Sequence, residues 1–181
     1  ASASPRRREL MALAGYDFEV ICADINETVP KNAAPEDVVK SLALQKAQAV
    51  AENHSDAVVV GSDTVVALDG KILGKPHSER EAAEMLRLLS GRKHKVYTGV
   101  AIVCGEKVKN FFDETDVEFY PLSDAEIEAY VATGEPMDKA GSYGIQGKGA
   151  LLVKGISGDY FNVMGLPISK VYREMRDFLA E

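Results

Sequence analysis

Asp63 follows the continuous apolar run Ala57-Val58-Val59-Val60 by way of Gly61 and Ser62, and Thr64 comes next. An aspartate just past a buried strand lies at the carboxyl end of a sheet, where open α/β folds place their ligands. There it can bind a divalent cation or polarise a water as general base. The competing reading is a turn-former that caps nearby N–H groups. Lys46 stands out for a different reason. On a helix from about Pro35 to Glu52, Val39, Leu42, Ala43 and Val50 make an apolar stripe, and Lys46 falls inside it. Such a lysine either snorkels to water or meets an anion. Glu27 and Asp24 share an acidic loop that runs from Ala23 to Pro30, and either could complete a metal site with Asp63. Magnesium keeps waters and phosphate oxygens in its shell, so two carboxylates suffice.

Basic residues supply the complementary half. The chain opens Ser2-Ala3-Ser4-Pro5-Arg6-Arg7-Arg8, with Pro5 suited to a first helical position. Free N–H groups, the helix dipole and guanidiniums would converge there on a polyphosphate, unless the arginines are only a solvated face. Gly74-Lys75-Pro76 fixes the backbone on both sides of a lysine, which would aim an ammonium at phosphate, or is simply a polar turn. The glycine-rich segment Ala140 to Gly149 permits close approach to a ligand and carries one amide, Gln146. That amide can accept N3–H of uracil or thymine and donate to O4, and flipped it could serve other bases. The segment matches neither G-x-G-x-x-G nor a P-loop. Asp113, Glu114, Asp116 and Glu118 alternate like the solvated face of a strand. His54, His77 and His94 show no ligand spacing and read as surface residues.

Several elements must hold these groups in place. A first helix spans about Pro5 to Ala14 and stops at Gly15. Tyr16 to Ile21 alternates like a strand. Val65–Leu68 and Lys71–Leu73 flank Asp69-Gly70 as a hairpin. Ser78 with Glu81, and Ser123 with Glu126, are spaced as capping boxes that open two helices, ending near Gly91 and Gly134. Val96 to Val103 and Lys107 to Tyr120 read as long strands, a candidate pairing edge across a homodimer. Leu151-Leu152-Val153 reads as a further strand. A closing amphipathic helix starts at Pro167, with Ile168, Val171, Tyr172, Met175 and Phe178 on one side. Helices alternating with strands, some of them hairpin-paired, define an α/β class with a mixed, partly antiparallel sheet flanked by helices. A single domain over 1–181 is expected, with lobes of about 1–63 plus 137–181 and 64–136 around a cleft.

Composition narrows the class. The 181 residues are 46% hydrophobic and 27% charged, with a net charge of −7. That balance argues against a general nucleic-acid binder, which needs a basic surface. Cys22 and Cys104 are far apart and suggest neither zinc nor disulfides. No run approaches the roughly 18 apolar residues of a membrane helix, and no signal-peptide pattern is visible, so a soluble cytoplasmic protein is expected.

Taken in order, Ser2-Ala3-Ser4-Pro5-Arg6-Arg7, Gly61-Ser62-Asp63-Thr64-Val65, Gly74-Lys75-Pro76, Lys139 to Gly147 and Gly158 to Pro167 resemble the Maf family of nucleoside triphosphate pyrophosphatases. The first and fourth of these segments are the specific ones. The resemblance implies a Maf/ITPase-like fold. It also implies hydrolysis of a nucleoside triphosphate to monophosphate and pyrophosphate with a divalent cation, Mg2+ or Mn2+. It assigns Asp63 as proton acceptor and Arg6, Thr64 and Gln146 to substrate choice, and it places Glu27, Lys46, Lys75, Ser2 and Arg7 among the polar residues of the cleft; Ser2, Arg7, Lys46 and Lys75 are then expected to bind substrate, and Glu27 and Asp63 the metal. The identities at the choice positions look like the branch acting on dTTP and UTP. The resemblance also allows a nucleotide-binding regulator of septum formation, or a pyrophosphatase that discards modified triphosphates. Family members usually begin with a methionine and a short apolar strand ahead of the serine-rich turn, and these residues begin at that turn.

Overall fold

A computed structural model describes residues 1–29 and 31–180; Pro30, the end of the acidic loop, lies outside the described residues. The elements in chain order are α1 (Pro5–Leu13), α2 (Pro35–Ala51), β1 (Val59–Leu68), β2 (Lys71–Leu73), α3 (Glu79–Leu89), β3 (Lys93–Cys104), β4 (Lys107–Phe119), α4 (Asp124–Val131), β5 (Val153–Ser157), α5 (Tyr160–Met164) and α6 (Ile168–Ala180). Short 3-10 turns occur at Glu135–Asp138, Ala140–Ser142 and Gly147–Leu152. The protein is α/β, built on one five-stranded sheet in the order β2-β1-β3-β4-β5 and flanked by helices. β1 pairs antiparallel with β2, and β4 with β5. Asp69 and Gly70, both at positive φ, make the β1–β2 turn, as Asp-Gly in a tight hairpin requires.

The chain divides into two compact units. The first comprises Ala1–Thr64, Thr98–Asp113 and Gly165–Glu181. In it α2 packs Ala43, Ala47 and Val50 against Val59, Ala101 and Val103. Two glycines set how close that helix comes. A Cβ on Gly61 would collide with the Ala43 carbonyl and Ala47, and one on Gly99 with the Val39 carbonyl. The backbone of α2 therefore lies directly on β1 and β3. Along α6, Lys170 donates to the Phe112 carbonyl of β4 at 2.8 Å, which ties the closing helix to that strand.

The second unit comprises Val65–Tyr97 and Glu114–Met164. Its core gathers Leu86 and Leu89 of α3, Val117 and Phe119 of β4, Ile127 of α4 and Leu152. Inside it sits His94, which is 3% exposed and not a surface residue as its sequence setting suggests. Phe119 and Tyr143 meet its ring edge-on at centroid distances of 5.0 and 5.3 Å. Its Nε2 lies 2.7 Å from the Tyr143 hydroxyl. Burial pushes His94 down to about 4, so at neutral pH the ring is uncharged.

Four further expectations change. Tyr16 to Ile21 is not a strand; the segment alternates, but no backbone ladder forms along it, and Ile21 instead packs on the α2–β1 cluster. The apolar run does not stop at Gly61, because β1 continues through Asp63 to Leu68. The Ser123–Glu126 box forms in both directions. Only half of the Ser78–Glu81 box forms: the serine accepts from Glu81 N–H, but the glutamate turns to the N–H and Nδ1 of His77. Leu151 and Leu152 belong to a 3-10 turn, and the strand begins at Val153.

Candidate active site

In the first unit, the close seat of α2 on β1 brings the lysine of the apolar stripe onto the aspartate of the strand. Lys46 Nζ lies 2.6 Å from Asp63 Oδ1 and 2.8 Å from Glu27 Oε1. Lys46 therefore meets anions instead of snorkelling to water. Asp63 is mostly shielded, its side chain 14% exposed, whereas Glu27 stands at the solvent edge with 47%. Of the two loop acids it is Glu27 that reaches the lysine; Asp24 is exposed. A little along the same loop, Thr28 is bound to Gln45 of α2 through its N–H and its carbonyl, at 3.1 and 2.8 Å. Those bonds hold the loop beside Lys46.

Arg7 organises a second group in this unit. Ser4 caps α1 by accepting from Arg7 N–H, with Pro5 at the first helical position. The guanidinium then spans three segments. Nη2 donates to Thr64 Oγ1 at 2.9 Å, Nη1 to Ser2 Oγ at 3.0 Å, and Nε to the Gly165 carbonyl at 2.7 Å. Ser62 Oγ donates to the same carbonyl at 3.2 Å, and Thr64 Oγ1 lies 2.9 Å from Thr98 Oγ1. Burial lowers the Arg7 pKa, while the Asp63 carboxylate raises it. It stays a cation, because an arginine starts far above neutrality. Side-chain alternation along β1 explains the layout. From one face of the strand Thr64 accepts from Arg7 and Ser62 donates to the Gly165 carbonyl that Arg7 also binds, and from the other Asp63 accepts from Lys46.

Sequence reasoning missed Ser62, Thr98 and Gly165. Gly165 has φ +111, and a Cβ there would come within 3.4 Å of Arg7 Nε and of Thr64 Oγ1. A bare backbone is what lets its carbonyl receive two donors. The available signal was a lone glycine between Met164 and Leu166 in an otherwise apolar run. A cavity of about 460 Å³ also opens in this unit, from Ser2 and Arg7 to Met175 and Leu179. Its walls are mostly apolar and include neither Asp63, Lys46 nor Glu27, so it is separate from the carboxylate pair.

Arg6 is half-buried at the start of α1 in the first unit. Lys75 and Gln146 belong to the second unit, where both are exposed. Within that unit their two segments meet, since Gly141 N–H donates to the Gly74 carbonyl at 3.0 Å. Gly141 has φ +68 and lies so close to Val66 that a Cβ would approach its side chain to 2.8 Å. The close approach at Gly141 is thus to a side chain of β1, where the sequence suggests approach to a ligand.

Asp63 and Glu27 also bear on a metal. No group of three or more potential metal-ligating His, Cys, Asp or Glu side chains occurs among the described residues. The two carboxylates converge on one ammonium instead, so they share a position that attracts a cation. Two carboxylates with vacant lone pairs fit a magnesium-type ion, whose remaining ligands are waters and phosphate oxygens.

In the first unit, then, β1 carries a shielded aspartate held by a lysine and, next to it in sequence, a threonine bound by an arginine that joins three segments. The chain matches the family described as Maf-like protein over residues 1–178, and it belongs to that family. Among its curated relatives is the dTTP/UTP pyrophosphatase of Bacillus cereus strain AH820, 57% identical over 98% of this chain and 93% of the relative. Proteins of the same name from Bacillus mycoides strain KBAB4 and Bacillus anthracis are 57% and 56% identical over the same shares. The family points to a divalent cation in general terms. Among the described residues, no helix is long and apolar enough to cross a membrane.

Proposed function

We propose that this protein hydrolyses dTTP and UTP to the nucleoside monophosphate and pyrophosphate, working on free nucleotides in the cytoplasm. The observation that carries the reading is Lys46 Nζ bridging Asp63 and Glu27 at 2.6 and 2.8 Å, in a chain 57% identical to proteins named for this activity. Asp63 accepts the proton of the water that attacks the α-phosphorus, and the bond to the pyrophosphate oxygen breaks. Lys46 keeps that carboxylate aimed and meets negative charge that grows on the phosphate oxygens. Asp63 and Glu27 would hold Mg2+ or Mn2+, which supplies charge neutralisation to the polyphosphate. Among the described residues, three of the five Arg7 N–H donors are engaged, and the others are left for a phosphate oxygen. Ser2 and Thr64 orient that guanidinium. Arg6, Thr64 and Gln146 select the nucleotide, with Gln146 reading the pyrimidine edge, and Lys75 binds phosphate.

A pyrophosphate-release assay with dTTP, UTP, CTP, ITP and 7-methyl-GTP, with and without added Mg2+ or Mn2+, tests this. Release from dTTP and UTP that depends on added cation supports the reading. Binding without release, or preferred turnover of ITP or 7-methyl-GTP, contradicts it.

A further inference from the structure

The second unit contains a polar clamp that none of the expected roles uses. Gln146 lies in a short span of backbone that is tied down on both sides. Before it, the Gly144 N–H donates to the Tyr130 hydroxyl at 3.1 Å. After it, Lys148 and Gly149 donate their N–H groups to Glu135, at 3.1 Å to Oε1 and 3.3 Å to Oε2. The span closes tightly on itself. A Cβ on Gly149 would collide with the Gly144 carbonyl, and one on Gly147, at φ +63, would come within 2.9 Å of Glu135 Oε1. Ile145 and Gly149 are buried, and Gln146 between them is exposed.

The clamp is itself braced. Tyr130 and Glu135 share a hydrogen bond, and burial is the main cause that pushes the tyrosine up to about 12. Tyr130 therefore stays a neutral hydroxyl at neutral pH. Its carbonyl accepts from Thr133 Oγ1 at 2.6 Å, and Thr133 Oγ1 accepts the Glu135 N–H at 3.1 Å. Lys139 Nζ donates to the Glu135 carbonyl at 2.6 Å. A carboxylate with two oxygens takes two successive N–H groups, a task a single hydroxyl or amide oxygen does less well.

We propose that Glu135 and Tyr130 are positioning residues that set substrate specificity by fixing the backbone on either side of Gln146, an inference that rests on the base-reading role given to Gln146 above. An amide can discriminate bases only if its own position is fixed, because a mobile amide follows whichever base is present. Glu135 and Tyr130 touch no reacting atom in this scheme. Their loss therefore falls on KM and on base preference more than on kcat, whereas a loss of folded protein would lower apparent kcat alone.

Steady-state kinetics with UTP and CTP on Gln146→Ala, Glu135→Ala, their double variant and Tyr130→Phe test this. Gln146→Ala is expected to cut the UTP-over-CTP ratio of kcat/KM about tenfold or more. Glu135→Ala is expected to cut it at least about fivefold through KM, and the double variant no further than Gln146→Ala alone, as residues acting through one another require. Tyr130→Phe removes the acceptor of Gly144 N–H and the hydroxyl's bond to Glu135, while leaving Glu135 to hold Lys148 and Gly149; it is expected to shift the ratio the same way, and it carries the comparison if Glu135→Ala does not fold. If Gln146→Ala collapses the ratio while Glu135→Ala or, failing that, Tyr130→Phe preserves it, the positioning role is overturned and the base-reading role stands. If Gln146→Ala leaves the ratio unchanged, the base-reading role falls and the positioning role with it.

Discussion

Lys46 Nζ stands 2.6 Å from Asp63 Oδ1, and the residue next to the lysine, Ala47, lies where a Cβ on Gly61 would strike it. The two facts are one relationship. Because Gly61 lets α2 settle onto β1, a lysine one place along the helix reaches an aspartate two places along the strand. The charged pair is thus set by small-residue packing, and a side chain at Gly61 would separate it.

Lys46→Met keeps the stem and removes the ammonium, leaving Asp63 and Glu27 to face each other without their shared cation. Pyrophosphate release from dTTP is expected to fall about 100-fold in kcat/KM, in the range typical of losing one preorganised charge at a reacting centre. Circular dichroism should show the fold retained, since the stem still packs on the apolar stripe.

Gly165→Ala introduces a side chain at φ +111 and crowds Arg7 Nε and Thr64 Oγ1. Backbone strain of this kind costs about 1–3 kcal/mol. A lower Tm in calorimetry is expected, together with a raised KM for the triphosphate as the guanidinium shifts from its three partners.

His94 gives the protein an acid-sensitive term. Burial lowers its pKa from 6.5 to about 4 in the folded chain. Between those values the unfolded chain binds a proton at this site and the folded chain does not. Stability from this group is therefore whole above about pH 6.5 and declines as pH falls towards 4, by roughly 3 kcal/mol in all. Urea unfolding of wild type and His94→Gln at pH 7.5, 6, 5 and 4.5 checks it. The variant is expected to lose less stability on acidification than the wild type.

Local rules read well wherever one residue type satisfies one backbone demand. Asp69-Gly70 needed positive φ at both positions, and Ser123 with Glu126 needed only three-residue spacing. Lys46 was visible because it broke a helical stripe. The length of β1 was not, because Gly61 and Ser62 look like turn punctuation and only the seat of α2 shows that Gly61 serves a close approach. Tyr16 to Ile21 had the alternation of a strand, but a strand exists only where another backbone pairs with it. His94 was misread although a signal was present: it shares the strand face of Val96 and Thr98, all three buried. Ser62, Thr98 and the Gly165 carbonyl joined the site through tertiary contacts that no spacing announces.

Asp63→Asn decides whether Asp63 takes the proton in triphosphate cleavage. The substitution keeps shape and hydrogen bonding and removes the base. Pyrophosphate release from dTTP with saturating Mg2+, measured on a variant whose Tm matches the wild type, is expected to drop by at least about 100-fold in kcat. Turnover within a few-fold of the wild type in such a folded variant would mean that Asp63 is not the base.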